Sequence, residues 1–193
     1  LRGAYNKMIK LSPNVRSRGV IAASAGNHAQ GVALAAKKLD CSATIVMPVT
    51  TPQIKVHAVM GHGATVALHG DSYNDAYEHA VTLAKEEQIT FVHPYDDPDV
   101  IAGQGTVGME ILRQYTGNIH AIFVPIGGGG LIAGCSVAAK AMKPDIRIFG
   151  VEAAMYPSFS AKRRGETPKC GGQTIAEGIA IKAVGDIPFA IAD

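Results

Sequence analysis

Ala121-Ile122-Phe123-Val124-Pro125-Ile126-Gly127-Gly128-Gly129-Gly130-Leu131-Ile132-Ala133-Gly134-Cys135-Ser136-Val137-Ala138-Ala139-Lys140 is the stretch that decides the fold. Its first six residues form an apolar run of the length of a buried parallel strand, and Leu131 to Lys140 read as the helix that follows. The glycines between them carry no side chains. Their backbone N–H groups can therefore close around an anion, helped by the positive end of the helix dipole. An ordinary strand-to-helix turn is the plainer reading, but it needs only one or two glycines. Each further glycine costs conformational entropy on folding, and that cost favours the anion cradle.

Outward from this loop, strand-like and helix-like segments alternate along the chain. Gly19 to Ser24, Ser42 to Met47, Thr65 to Leu68, Ile89 to Val92 and Arg147 to Val151 read as strands. Asn27 to Leu39, Pro52 to Met60, Ser72 to Glu87 and Ala102 to Tyr115 read as helices. Thr51 is available as an N-cap with Pro52 at the first helical position, and Ser72 with Asp75 forms a capping-box-like pair. The chain opens at Leu1 directly in a helical pattern and closes on a strand-like run before Asp193. The turn formers of His93-Pro94-Tyr95-Asp96-Asp97-Pro98-Asp99 mark a candidate boundary. Alternation of this kind argues for βαβ units and a mostly parallel sheet, whose ligands gather at the carboxyl ends of the strands.

The bulk numbers narrow the function classes. Of the 193 residues, 47% are apolar and 18% charged, a globular balance with enough chain for a core. A net charge of +2, with no basic run beyond Lys162-Arg163-Arg164 at a solvated helix end, argues against nucleic acid as a partner. No apolar stretch reaches membrane-spanning length. Cys41, Cys135 and Cys170 are widely spaced and show no zinc or disulfide pattern, so reduced thiols in a cytoplasmic enzyme are the default expectation.

A second loop, Ser24-Ala25-Gly26-Asn27-His28, also joins a strand to a helix N-terminus. Its N–H groups and polar side chains could hold a carboxylate, or Ser24 and Asn27 could serve as ordinary caps. Taken with the first loop it becomes far more specific. The chain resembles the threonine dehydratase and serine racemase branch of the fold-type II pyridoxal phosphate enzymes. The resemblance rests on Leu1-Arg2-Gly3-Ala4-Tyr5, Ser24-Ala25-Gly26-Asn27-His28-Ala29-Gln30-Gly31, Val100-Ile101-Ala102-Gly103-Gln104-Gly105-Thr106, Gly127 to Gly134, and Ala176-Glu177-Gly178. These strings run in the family's order and span nearly the whole chain.

The resemblance implies an α/β fold of two lobes with open, twisted, mostly parallel sheets, like the tryptophan synthase β chain. Residues 19–97 would form the small lobe, with 1–18 and 98–193 part of the large cofactor-binding lobe. Pyridoxal 5'-phosphate would be the cofactor, its phosphate on Gly127, Gly128, Gly129 and Gly130 and its phenolic oxygen on Asn27. Ser24, Gly26, Asn27 and His28 would bind the substrate carboxylate, and the Gly178 segment would lie near the cofactor ring, with no role for Glu177. The Schiff-base lysine of the family stands immediately before the string matched by Leu1 to Tyr5. No catalytic residue is therefore expected in the chain, which reads as an internal fragment, inactive alone.

The implied activity is that of a threonine ammonia-lyase, giving 2-oxobutanoate and ammonia from L-threonine and pyruvate from L-serine. The implied assembly is a homo-oligomer acting on small amino acids. Racemases of the branch carry a second serine before the loop glycine. Ala25 stands there in this chain and has no proton to give or take, which favours elimination.

Other features are weaker. Glu152 stands where some racemases place a divalent-metal ligand, but Ser158 replaces their second acidic ligand, so no metal is expected. His57 and His62 are not spaced as a helical ligand pair, and His69, His79 and His120 read as surface or loop residues. Tyr95 either lines the substrate pocket or packs between the lobes, and Gln104-Gly105-Thr106 reads as a helix start. The rival from another class is dinucleotide binding: Gly128, Gly130 and Ala133 fit G-x-G-x-x-A, with Glu152 about 20 residues further on. It leaves the Ser24 to His28 loop unexplained. A catalytically dead regulatory relative is a further alternative.

Overall fold

The computed structural model describes residues 1–193, which divide into two compact units, Leu1–Pro94 and Tyr95–Asp193. The division falls inside the 93–99 string of turn formers.

The first unit runs α1 (Arg2–Ile9), α2 (Pro13–Arg16), β1 (Val20–Ala23), α3 (Asn27–Lys38), β2 (Ala43–Met47), α4 (Gln53–Met60), β3 (Thr65–Leu68), α5 (Tyr73–Glu86) and β4 (Thr90–Phe91). Its four strands are parallel in the order β3-β2-β1-β4. All four residues of β1 are buried, as befits a central strand covered on both faces. Ile21, Ala23 and Val46 pack against Ala76, Ala80 and Ala84 of α5. Small residues on α3 (Ala29, Ala33, Ala36) are likewise buried. The chain leaves β1 toward β2 and later returns to β4 on the other side. The carboxyl end of β1 is thus the topological switch point, where open α/β sheets bind ligands.

The second unit runs α6 (Pro98–Gln114), β5 (Ala121–Pro125), α7 (Gly130–Met142), β6 (Arg147–Val151), α8 (Ser158–Arg163), a turn of 3-10 helix at Glu177–Ile179, and α9 (Asp186–Ala192). Strands β5 and β6 are parallel, with Phe123 opposite Phe149. One face of this pair, through Ile122 and Val124, joins Ile132, Cys135 and Ala139 of α7 in a core. The helices α6 and α7 touch through glycines: a Cβ on Gly105 would lie 2.9 Å from the Gly134 carbonyl oxygen, and one on Gly108 3.1 Å from that of Cys135.

Several expectations are corrected. Helix α6 begins at Pro98 rather than Ala102, because the Asp97 carboxylate accepts the Asp99 and Val100 N–H groups at 2.8 and 3.1 Å and Pro98 suits the first helical position. Gln104-Gly105-Thr106 therefore lies within α6 and not at its start. Thr51 does not cap α4. Pro52 holds that position, its carbonyl accepting from Val56, while Thr51 is buried. The strand-like alternation before Asp193 is the helix α9, whose Pro188 falls in the first turn, where no intrahelical N–H is needed. The capping box of Ser72 and Asp75 is present as read.

Candidate functional site

Ser24 to His28 follow β1 at the switch point and lead into α3. The Ser24 N–H donates to the Val46 carbonyl at 3.2 Å, continuing the sheet by one residue, and its Oγ accepts the Gly26 N–H at 3.2 Å. A side-chain bond of this kind turns the chain sharply out of the strand. The N–H groups of Ala25, Asn27, His28 and Ala29 find no acceptor within the protein. They are the orphan donors of a helix start, made for an anion. Gly26 and Asn27 are exposed, and a Cβ on Gly26 would meet nothing within 4 Å, so the mouth of the loop is open.

His28 is the most constrained member of this loop. Its Nε2 lies 2.9 Å from the Val92 carbonyl oxygen, just beyond β4. A carbonyl only accepts, so Nε2 carries the proton and Nδ1 of the neutral ring is an acceptor. Burial pushes the His28 pKa down to about 4; the Val92 bond opposes this, and His93 adds to it. His28 is thus a neutral ring tied to the sheet.

The tetraglycine loop lies at the carboxyl end of β5. Gly128, Gly129 and Gly130 are buried, and none of the four N–H groups donates to a protein acceptor. A Cβ on Gly128 would collide with the Tyr95 ring. On Gly130 it would lie 3.0 Å from Tyr95, and on Gly127 3.0 Å from Ile181. Gly129 has φ +93°, a left-handed backbone, and its Cβ would lie 2.8 Å from Pro188. A side chain at Gly128 would overlap the Tyr95 ring and one at Gly129 would press on Pro188 from a strained backbone, while at Gly127 and Gly130 the neighbours would have to give by a few tenths of an ångström. With bare amides at the N-terminus of the 13-residue helix α7, the loop suits a phosphate, and the residues fit pyridoxal phosphate. The Ala176-Glu177-Gly178 segment runs beside it, since the Gly178 carbonyl oxygen lies 3.6 Å from the same Gly127 position.

Tyr95, Val184, Gly185 and Pro188 back this loop, and reading the sequence assigned no such role to any of them. Glu152 is engaged elsewhere: its carboxylate accepts the Phe159 N–H at 2.6 Å, the Ser160 N–H at 3.0 Å and the Ser160 hydroxyl, capping α8. Its carboxylate is thus turned onto the start of α8, whereas the dinucleotide reading requires it on an adenine ribose. Ser158 Oγ donates to the Ile181 carbonyl. No group of three or more His, Cys, Asp and Glu side chains is placed to hold a metal ion. No helix is long and apolar enough to cross a membrane.

Known proteins agree with this geometry. The chain is 56% identical over 195 residues to the biosynthetic, chloroplastic threonine dehydratase of Arabidopsis thaliana, covering 99% of this chain and 33% of that protein. It is 55% identical to a biosynthetic L-threonine dehydratase of Burkholderia multivorans, covering 98% of this chain and 38% of that protein. It therefore spans about a third to a half of the length of the curated relatives it matches. Among solved structures, the processed form of threonine deaminase isoform 2 from Solanum lycopersicum superposes with a TM-score of 0.91 at 48% identity, over 98% of this chain and 52% of that one. The structure of maize serine racemase does so with a TM-score of 0.92 at 36% identity, over 99% and 58%. The family model of the pyridoxal-phosphate dependent enzymes matches residues 1–193, and the chain belongs to that family.

Proposed function

We propose that the full-length protein is a threonine ammonia-lyase, releasing 2-oxobutanoate and ammonia from L-threonine and, as a second activity, pyruvate from L-serine. The observation that carries elimination over racemisation is Ala25, whose methyl group sits between Ser24 and Gly26 and can exchange no proton. The bare amides of Gly127 to Gly130 would hold the cofactor phosphate, and Asn27 the phenolic oxygen. Ser24, Gly26, Asn27 and His28 would hold the substrate carboxylate. Neutral His28 adds no charge of its own and presents Nδ1 as an acceptor, leaving the free N–H groups of the loop to bind the anion. The bound cofactor supplies an electron sink for the carbanion.

The cofactor-bearing lysine is proposed to precede Leu1. Support comes from α3: the Leu1 nitrogen lies 2.9 Å from where a Cβ on Gly31 would stand, in the first turns after Asn27. The lobes 19–97 and 1–18 with 98–193, assembly into a homo-oligomer, and a reducing compartment such as the cytoplasm are proposed with it. The compartment rests on three cysteines that are all free.

The alternative is a racemase-like enzyme, which the fit to maize serine racemase at 36% identity supports only weakly beside the 48% identity to threonine deaminase. A visible absorption scan of the full-length protein, then L-threonine and an assay for 2-oxobutanoate, separates the two. A cofactor band with oxo-acid formation is the expected result. A band without oxo acid, but with D-serine formed from L-serine, would overturn elimination in favour of racemisation. No band after added pyridoxal phosphate would overturn the cofactor assignment.

A further inference from the structure

We propose that Tyr95 and Asp96 are positioning residues that strap residues 183–188 beneath the tetraglycine loop and so fix the direction of the Gly129 N–H. This rests on the reading above that the loop holds the cofactor phosphate.

The strap is built from both residues. The Tyr95 ring lies where a Cβ on Gly128 would stand, and its Oη donates to the Ala183 carbonyl at 3.3 Å. The Asp96 carboxylate accepts the Asp186 N–H at 3.1 Å and the Ile187 N–H at 3.0 Å, satisfying the start of α9. Its Cβ and Cγ stand 2.8 Å from where a Cβ on Gly185 would be, so the Asp96 side chain lies directly against the Gly185 backbone.

The strapped segment then reaches the loop. Gly185 N–H donates to the Gly128 carbonyl at 3.1 Å, and Pro188 and Val184 lie against Gly129. In a trans peptide the carbonyl and the following N–H point to opposite sides, and the chain has no cis bond. Holding the Gly128 carbonyl on Gly185 therefore aims the Gly129 N–H away from Gly185. A free peptide could flip at low cost between glycines, because glycine tolerates both signs of φ. Asp96 removes that freedom through the backbone of residues 185–187, without touching the anion itself.

The test strips the full-length protein of cofactor and titrates back pyridoxal 5'-phosphate and, separately, pyridoxal, which lacks the phosphate. Binding is followed by absorbance and folding by circular dichroism. Asp96→Ala is expected to weaken pyridoxal phosphate roughly tenfold, the scale of lost bonds to a charged acceptor, while leaving pyridoxal unchanged. Asp96→Asn, which keeps one acceptor oxygen, should recover most of that loss, and Tyr95→Phe should lose less. These milder variants carry the test if Asp96→Ala fails to fold. Equal weakening of both ligands, or no change in either, overturns the strap. Gly128→Ala separates the two ideas. If it too spares the preference for the phosphorylated ligand, the cradle reading itself falls. If it removes that preference and the Asp96 variants do not, only the strap falls.

Discussion

His28 is neutral because of its surroundings. Half-buried beside β4, with its Nε2–H donated to the Val92 carbonyl, it has a pKa of about 4 against an ordinary 6.5. The unfolded chain binds a proton there between these values and the folded chain does not. The His28 contribution to stability is thus complete above pH 6.5 and is lost as the pH falls from 6.5 through 4. Thermal unfolding of the full-length protein should show this decline, and His28→Asn should flatten it; parallel curves would refute the assignment. At Ala25, a serine is expected to add D-serine formation from L-serine, read by chiral chromatography, and its absence would show that geometry outweighs the hydroxyl. Gly129→Val forces a β-branched residue to φ +93° against Pro188, a strain of about 1–2 kcal/mol or more. Cofactor affinity measured by titration should fall at least tenfold.

Among the elements, the contact between α6 and α7 sets how firmly the tetraglycine loop is placed, since α7 begins at its last glycine. Gly134 is the tightest point. A Cβ there would collide with the Ile101 carbonyl oxygen and lie 2.6 Å from the Gly105 nitrogen. Backbone cannot yield as a side chain does, so Gly134→Ala should cost about 1–3 kcal/mol by overpacking and lower Tm by several degrees in calorimetry. Gly108→Ala, 3.1 Å from the Cys135 carbonyl oxygen, should cost less. An equal effect would mean that the seam is not closest at Gly134. Elements with local signals were legible from the residues: Ser72 and Asp75 announce α5, and the apolar runs announce β1, β2 and β5. The start of α6 was obscured because Asp97-Pro98 serves equally as a turn or as a cap followed by a first helical residue. Helix α9 was obscured because Ile187, Phe189 and Ile191 alternate like a strand, and its helical start depends on Asp96, some 90 residues earlier.

For the molecule as a whole, the outer face of β5 and β6 stands out. Phe123 is 68% exposed and Phe149 40%, their rings stacked at 5.0 Å with the Arg147 guanidinium 5.6 Å from the Phe149 ring. Parallel sheets ordinarily bury both faces, so this one has the character of an interior surface. Residues 1–193 expressed alone should bind an apolar dye and self-associate in sedimentation, and Phe123→Glu with Phe149→Glu should suppress both. A monomer that binds no dye would show that the face is stable in water.

Much of this protein is local in origin. Strand runs, helix caps and two loops poor in side chains are consequences of residue type and spacing, so the alternating α/β order and the two anion-ready loops followed from the sequence alone. The cofactor came from the resemblance that the family strings carry, since bare amides at a helix start suit an anion without specifying which one. Only tertiary structure decided what surrounds those amides. The strand order β3-β2-β1-β4 puts Ser24 at the switch point, the Val92 carbonyl sets the protonation of His28, and Tyr95, Gly185 and Pro188 close on the glycines from distant positions. Each of these depends on groups far apart in the chain meeting within about 3 Å, the reach of a hydrogen bond, which spacing along a sequence does not encode.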